Sequence, residues 1–133
     1  MCVFCKIAQG EIPSYKIYED ENFIAILDIA QATPGHTLII TKKHYDDVFA
    51  LPEAEAGKLG RLAARLACHI GEALGVRNMN LLNNAGPLAG QMVNHFHLHL
   101  IPRYETDAMV IRFGHNELTK AEFEALRAKM ELK

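Results

Sequence analysis

No stretch of the 133 residues is apolar over the roughly 18–20 positions that a membrane-crossing helix requires, so no span is expected. The start, Met1-Cys2-Val3-Phe4-Cys5-Lys6, lacks a basic segment followed by an apolar one, and no signal peptide is expected. Neither sign of charge dominates: 14 Lys and Arg against 16 Asp and Glu leave a formal net charge of −2. Such a balance gives no long-range field for nucleic acid or an anionic membrane, although a small anion needs only a few local donors. Cysteine is scarce and odd in number (Cys2, Cys5, Cys68), which argues against a disulfide framework and for a reducing, cytoplasmic setting. No linker, charge run or internal repeat divides the chain, so a single domain over 1–133 is expected.

Histidine, by contrast, is plentiful: there are seven, three of them within positions 95–99. Around them the hydrophobic pattern changes period along the chain. Positions 4–8 read as a short helical turn, and 15–18, 23–27 and 37–41 read as strands of a meander. Leu59, Leu62, Ala63, Leu66, Ala67, Ile70 and Leu74 then fall at three- and four-residue steps, predicting one long helix over about 53–74 with Gly75 as its left-handed cap. Cys68 within it is expected to be a buried small hydrophobe. Further strands are expected at 79–83 and 93–101. Thr119 with Glu122 forms a capping box for a last helix with Phe123, Leu126 and Met130 on one stripe. The order predicts an α+β fold, an antiparallel sheet with helices on one face.

The stretch His95-Phe96-His97-Leu98-His99-Leu100-Ile101 alternates without a break. On a strand, alternate side chains share a face, so Phe96, Leu98 and Leu100 would enter the core and the three imidazoles would line the other side. Three readings remain open for such a row. It is a half-exposed strand with solvated imidazoles. It holds a catalytic metal, as His-x-His on a strand can. Or one imidazole is a nucleophile toward phosphorus and its neighbours supply a proton carrier and donors for phosphate oxygens.

That row resembles the signature of the histidine triad family of nucleotide hydrolases and transferases. Asp28-Ile29, Pro34-Gly35-His36-Thr37-Leu38, Lys42-Lys43-His44, Asn84-Ala85-Gly86 and Gly90-Gln91 resemble other family segments in the same order. The resemblance covers about 2–103 and leaves 104–133 as a C-terminal extension. It implies that His97 attacks the α-phosphorus of a purine nucleoside monophosphoryl conjugate and carries a covalent nucleotidyl group. It implies that His99 donates to the phosphate or leaving group, that His36 orients His97, and that Asp28 accepts from the ribose hydroxyls. Asn84 and Gln91 would serve the phosphate from a loop with Gly86 and Gly90. Phe4, Ile7 and Ile26 are candidates to line a base pocket.

Cys2 and Cys5, with His44 and His95, resemble the structural zinc set of the Hint-like branch of that family. A homodimer is implied as well. Two positions separate branches. The third histidine is His rather than Gln, which favours hydrolysis over nucleotidyl transfer. Met92 stands where phosphoramidases and dinucleoside polyphosphate hydrolases usually carry Ser or Thr, and a thioether has no proton to give. Phosphoramidates are the expected substrates and dinucleoside polyphosphates the neighbouring class. A metal-dependent hydrolase, with His97 and His99 as ligands, and a nucleotide-binding adaptor with vestigial activity are the rivals.

Overall fold

The computed structural model describes residues 2–133. Its centre is β2 (Phe23–Leu27) paired with β3 (Thr37–Thr41), and both strands are apolar on each side. Such continuous runs require cover on both faces. Phe23, Ala25 and Ile39 point to one face, where Leu59, Leu62, Leu66 and Ile70 of α2 (Glu53–Leu74) pack on them. Ile24, Ile26, Leu38 and Ile40 point to the other, where Phe4 of α1 (Val3–Ala8) closes over them. Helices therefore lie on both faces rather than one, because α1 supplies the second cover.

β1 (Lys16–Glu19), β4 (Met79–Leu82) and β5 (His97–Pro102) complete a five-stranded antiparallel sheet in the order β1-β2-β3-β5-β4. β5 begins at His97, not at residue 93. His95 precedes the strand, and the Phe96 N–H donates to the Tyr45 carbonyl outside the β3–β5 ladder. The register sets His97 opposite Ile40 and His99 opposite Leu38. Both imidazoles thus stand on the α1 face, while Phe96 and Leu100 join the α2 core, as the alternation predicts.

Gly75 ends α2 in the left-handed region with φ 69°. Cys68 is exposed, so it is not the buried hydrophobe expected: the buried stripe of α2 runs through Leu66 and Ile70 and leaves position 68 on the outer side. α3 (Lys120–Met130) has the capping box of Thr119 and Glu122, and its expected apolar stripe of Phe123, Leu126 and Met130 is exposed.

The loop joining β2 to β3 is pinned to β5. Thr33 Oγ donates to the Pro102 carbonyl at 2.6 Å, and Tyr104 Oη donates to the Pro34 carbonyl. Gly35 makes this docking possible: its φ is +97°, and a Cβ there would stand 2.5 Å from Leu74 Cδ1. Gly35→Ala is expected to cost about 1–3 kcal/mol of folding stability, because Leu74 can give way but the backbone strain stays. Urea unfolding checks this, and an unchanged midpoint would show that the loop is not held as described.

Candidate active site

Hydrogen bonds to the main chain set the tautomer of each imidazole. The Nδ1 of His97 lies 2.7 Å from the His95 carbonyl, an oxygen that can only accept. His97 therefore carries its proton on Nδ1, and its Nε2 is the nitrogen with a lone pair in the neutral ring. On the neighbouring loop the Ala32 N–H donates to His36 Nδ1 at 3.1 Å, which puts the proton of neutral His36 on Nε2. That N–H lies 2.9 Å from His99 Nδ1, leaving His99 with a proton on its own Nε2. One nucleophilic and one proton-bearing nitrogen result, on rings whose centres are 5.1 Å apart.

Both rings line a cavity of about 420 Å³. Phe4, Ile7, Ile26 and Leu38 form an apolar end, and Asp28, Asn84 and Met92 stand along the wall. Asp28 accepts from the Ala30 N–H through Oδ1, and its Oδ2 is 3.6 Å from His36 Nε2. His36 is not among the lining residues and bonds His99. Gln91 lies off the wall: its Oε1 accepts from the Gly86 N–H, and its Nε2 donates to the Asp46 and Val93 carbonyls. It holds the loop that carries Asn84 and Gly90.

Burial decides the charge of this site. It pushes the His99 imidazole down to about 4, with His97 and His36 adding to the effect. It lowers His36 too, although the Asp28 carboxylate opposes it. Desolvation disfavours the cation, so His99 stays neutral well into acid and His36 is shifted in the same direction.

A second cluster abuts the first. Cys2, Cys5, His44 and His95 bring their Sγ and Nδ1 atoms together, with all six separations between 3.1 and 3.7 Å. These are the edges of a nearly regular tetrahedron. A point at its centre lies about 2.1 Å from each corner, close to zinc–nitrogen and zinc–sulfur bonds of roughly 2.0–2.3 Å. The outer nitrogens donate away from the cluster, His44 Nε2 to Asp46 at 2.8 Å and His95 Nε2 to the Thr41 carbonyl at 2.7 Å. Both Nδ1 lone pairs are thereby directed inward.

Asp28, His36 and His99 also gather three ligand atoms within 4.8 Å of one another. Their geometry differs. The ring centres of His36 and His99 are 5.2 Å apart and the facing nitrogens 2.9 Å. The difference is about twice the radius of an imidazole ring, so the two nitrogens point straight at each other. That is a hydrogen bond, not two lone pairs converging on an ion.

Of the residues expected at the site, His97, His99, Asp28 and Asn84 line one cavity, His36 bonds His99, and Cys2, Cys5, His44 and His95 gather around another point. Sequence reasoning missed the carbonyls of His95 and Thr41 and the N–H of Ala32, which carry no side-chain signal. Asp46, two residues after His44, could have been noticed as an outer partner of a histidine.

With His99 titrating near 6.5 when unfolded and about 4 when folded, only the unfolded chain takes up this proton between those values. Stability is therefore expected to fall as pH drops from about 6.5 to about 4. His99→Gln should flatten this part of the pH dependence in urea unfolding. A variant curve parallel to wild type across the window would contradict a buried neutral His99.

Residues 9–106 match the family model for the HIT domain. A HIT-like protein of Methanocaldococcus jannaschii is 45% identical over 114 residues, 86% of this chain and 88% of that one. The adenylylsulfatase HINT3 of Arabidopsis thaliana is 41% identical over 108 residues, 81% of this chain and 55% of the relative. The adenosine 5'-monophosphoramidase hnt1 of Schizosaccharomyces pombe is 37% identical over 102 residues, 77% and 74% of the two chains. The crystal structure of a HIT family member from Bacillus subtilis has a TM-score of 0.92 at 36% identity, covering 99% of this chain and 98% of that one. A zinc-bound histidine triad protein from Mycobacterium smegmatis has a TM-score of 0.78 at 38% identity, covering 96% and 91%. The chain belongs to the HIT family.

Proposed function

We propose that this HIT-family enzyme hydrolyses purine nucleoside phosphoramidates or related nucleotidyl conjugates through a covalent nucleotidyl group on His97. The observation that carries the reading is the bond from His97 Nδ1–H to the His95 carbonyl, which leaves Nε2 as the nucleophile beside the cavity. The Nε2 lone pair forms a bond to the α-phosphorus as the bond to the leaving amine breaks. Water at the mouth supplies the proton that the amine takes, since the thioether of Met92 has none. The hydroxide left by that water attacks the same phosphorus, releases the nucleoside monophosphate and restores neutral His97. The Nε2–H of His99 donates to a phosphate oxygen throughout, with Asn84 as a further donor. Asp28 accepts from the ribose, and the base rests among Phe4, Ile7 and Ile26. Gln91 keeps the phosphate loop in shape.

Among the described residues, no Lys or Arg lines the cavity. The added negative charge of a dinucleoside polyphosphate would go unanswered there, which supports phosphoramidates over that class. The names of the Arabidopsis and Schizosaccharomyces relatives support adenosine as the nucleoside. The bond from His36 Nε2–H to His99 Nδ1 leaves a proton on His99 Nε2, which supports a nucleophile over a metal-dependent hydrolase with His97 and His99 as ligands.

The donor set of Cys2, Cys5, His44 and His95 fits zinc, and we propose a structural ion there. When bound it would supply a closed tetrahedral centre tying the N-terminus to His95. A homodimer is the assembly proposed, supported by the exposed Leu81 on edge strand β4 and by α3, none of whose residues is buried.

With a fluorogenic adenosine phosphoramidate, His97→Ala is expected to lose at least about 10³-fold in kcat while adenosine monophosphate still binds. Full affinity without turnover by the wild type would mark an adaptor instead. Chelation should lower the thermal midpoint, with activity declining only as the fold loosens. Immediate loss of turnover in a chain that stays folded would favour the metal-dependent hydrolase.

A further inference from the structure

We infer that Gln31 is a positioning residue that sets the spacing of Asp28 and His36, and through His36 the tautomer of His99. The inference rests on the functional reading above and deepens it. Gln31 is exposed and touches no reacting group, yet its whole amide is engaged with the loop that joins β2 to β3. Its Nε2 donates to the Asp28 carbonyl and, at 2.8 Å, to the His36 carbonyl. Its Oε1 accepts from the Gly35 N–H at 2.8 Å.

One nitrogen thus bridges the two residues whose side chains flank His99. An exposed glutamine loses rotamer freedom in such an arrangement, and a merely solvated side chain would keep it. Thr33 to Pro102 and Tyr104 to Pro34 hold the middle of the loop against β5 and the segment that follows it, and the His36 N–H reaches the Thr33 carbonyl at 3.1 Å. The two bonds to β5 and Tyr104 do not join Asp28 to His36. The Asp28 N–H does reach the His36 carbonyl at 3.0 Å, so the Gln31 amide supplies the second bond to that same oxygen.

The consequence follows through the imidazoles. His36 offers its Nε2–H to His99 only while Ala32 N–H reaches His36 Nδ1, and Ala32 is the next residue after Gln31. If the loop relaxes, His36 can turn, His99 Nδ1 loses its donor, and the proton of His99 is no longer confined to Nε2. The site then presents the phosphate with a mixture of donor and acceptor.

Two variants test this. Gln31→Ala removes all three bonds. Gln31→Glu keeps the acceptor for Gly35 but sets a carboxylate against two carbonyls. Both are expected to keep the wild-type fold by circular dichroism and to lose at least about 10-fold in kcat/KM, with kcat falling and KM rising together. The imidazole ¹⁵N spectra of His36 and His99 should move from one tautomer toward averaged signals. Wild-type ¹⁵N spectra in both variants would overturn the inference, as would an activity loss that follows only the unfolded fraction. The spectra need no substrate, so they separate failure of this inference from failure of the proposed reaction, which would appear as absence of turnover by the wild type.

Discussion

The carbonyl of His95 accepts the Nδ1–H of His97 at 2.7 Å, while the side chain of the same residue stands among Cys2, Cys5 and His44. His95 thereby belongs to both clusters. Its side chain is fully buried, and its Nε2 is satisfied by the Thr41 carbonyl at the end of β3. A buried ring with all its polar atoms committed has one stable orientation. The backbone that follows inherits that rigidity, and the first residue of β5 is His97. The Cys-x-x-Cys start, remote in sequence, thus bears on the backbone that carries His97. Cys2 also caps α1, accepting from the Cys5 N–H, and α1 in turn brings Phe4 edge-on to His97 with ring centres 4.9 Å apart.

Neutrality is the second constraint. Four imidazoles, those of His36, His95, His97 and His99, stand close together, and protonating them together would set like charges side by side. Burial resolves this by lowering His36, His95 and His99. The sheet makes such burial possible, since β2 and β3 are covered on both faces and the histidines emerge where α1 leaves a cavity instead of a packed core. Among the described residues no Lys or Arg lines this cavity, and Asp28 is its acidic wall residue.

Much of this was legible in the sequence because it follows from periodicity. The alternation at 96–100 placed Phe96, Leu98 and Leu100 on the core face and His97 and His99 on the other, the run at 23–27 matched a strand at both ends, and the steps from Leu59 to Leu74 matched α2. The rest depends on groups that leave no pattern. That β5 begins only at His97 follows from the commitment of His95 to its cluster and of the Phe96 N–H to Tyr45. Cys68 was misjudged because a helical stripe has an edge, and composition does not say on which side a residue falls. Gln91 looked like a phosphate donor beside the triad, yet its amide bonds backbone of its own loop and of Asp46. Gln31 carried no signal, since its partners are all main chain.

The central claim is that His97 Nε2, freed by the His95 carbonyl, attacks phosphorus. Mass spectrometry of the protein quenched during turnover of an adenosine phosphoramidate tests it most directly. The account predicts an adenylyl adduct on the peptide containing His97, absent from His97→Ala. Turnover at the wild-type rate by His97→Ala, or an adduct on a different residue, would contradict it.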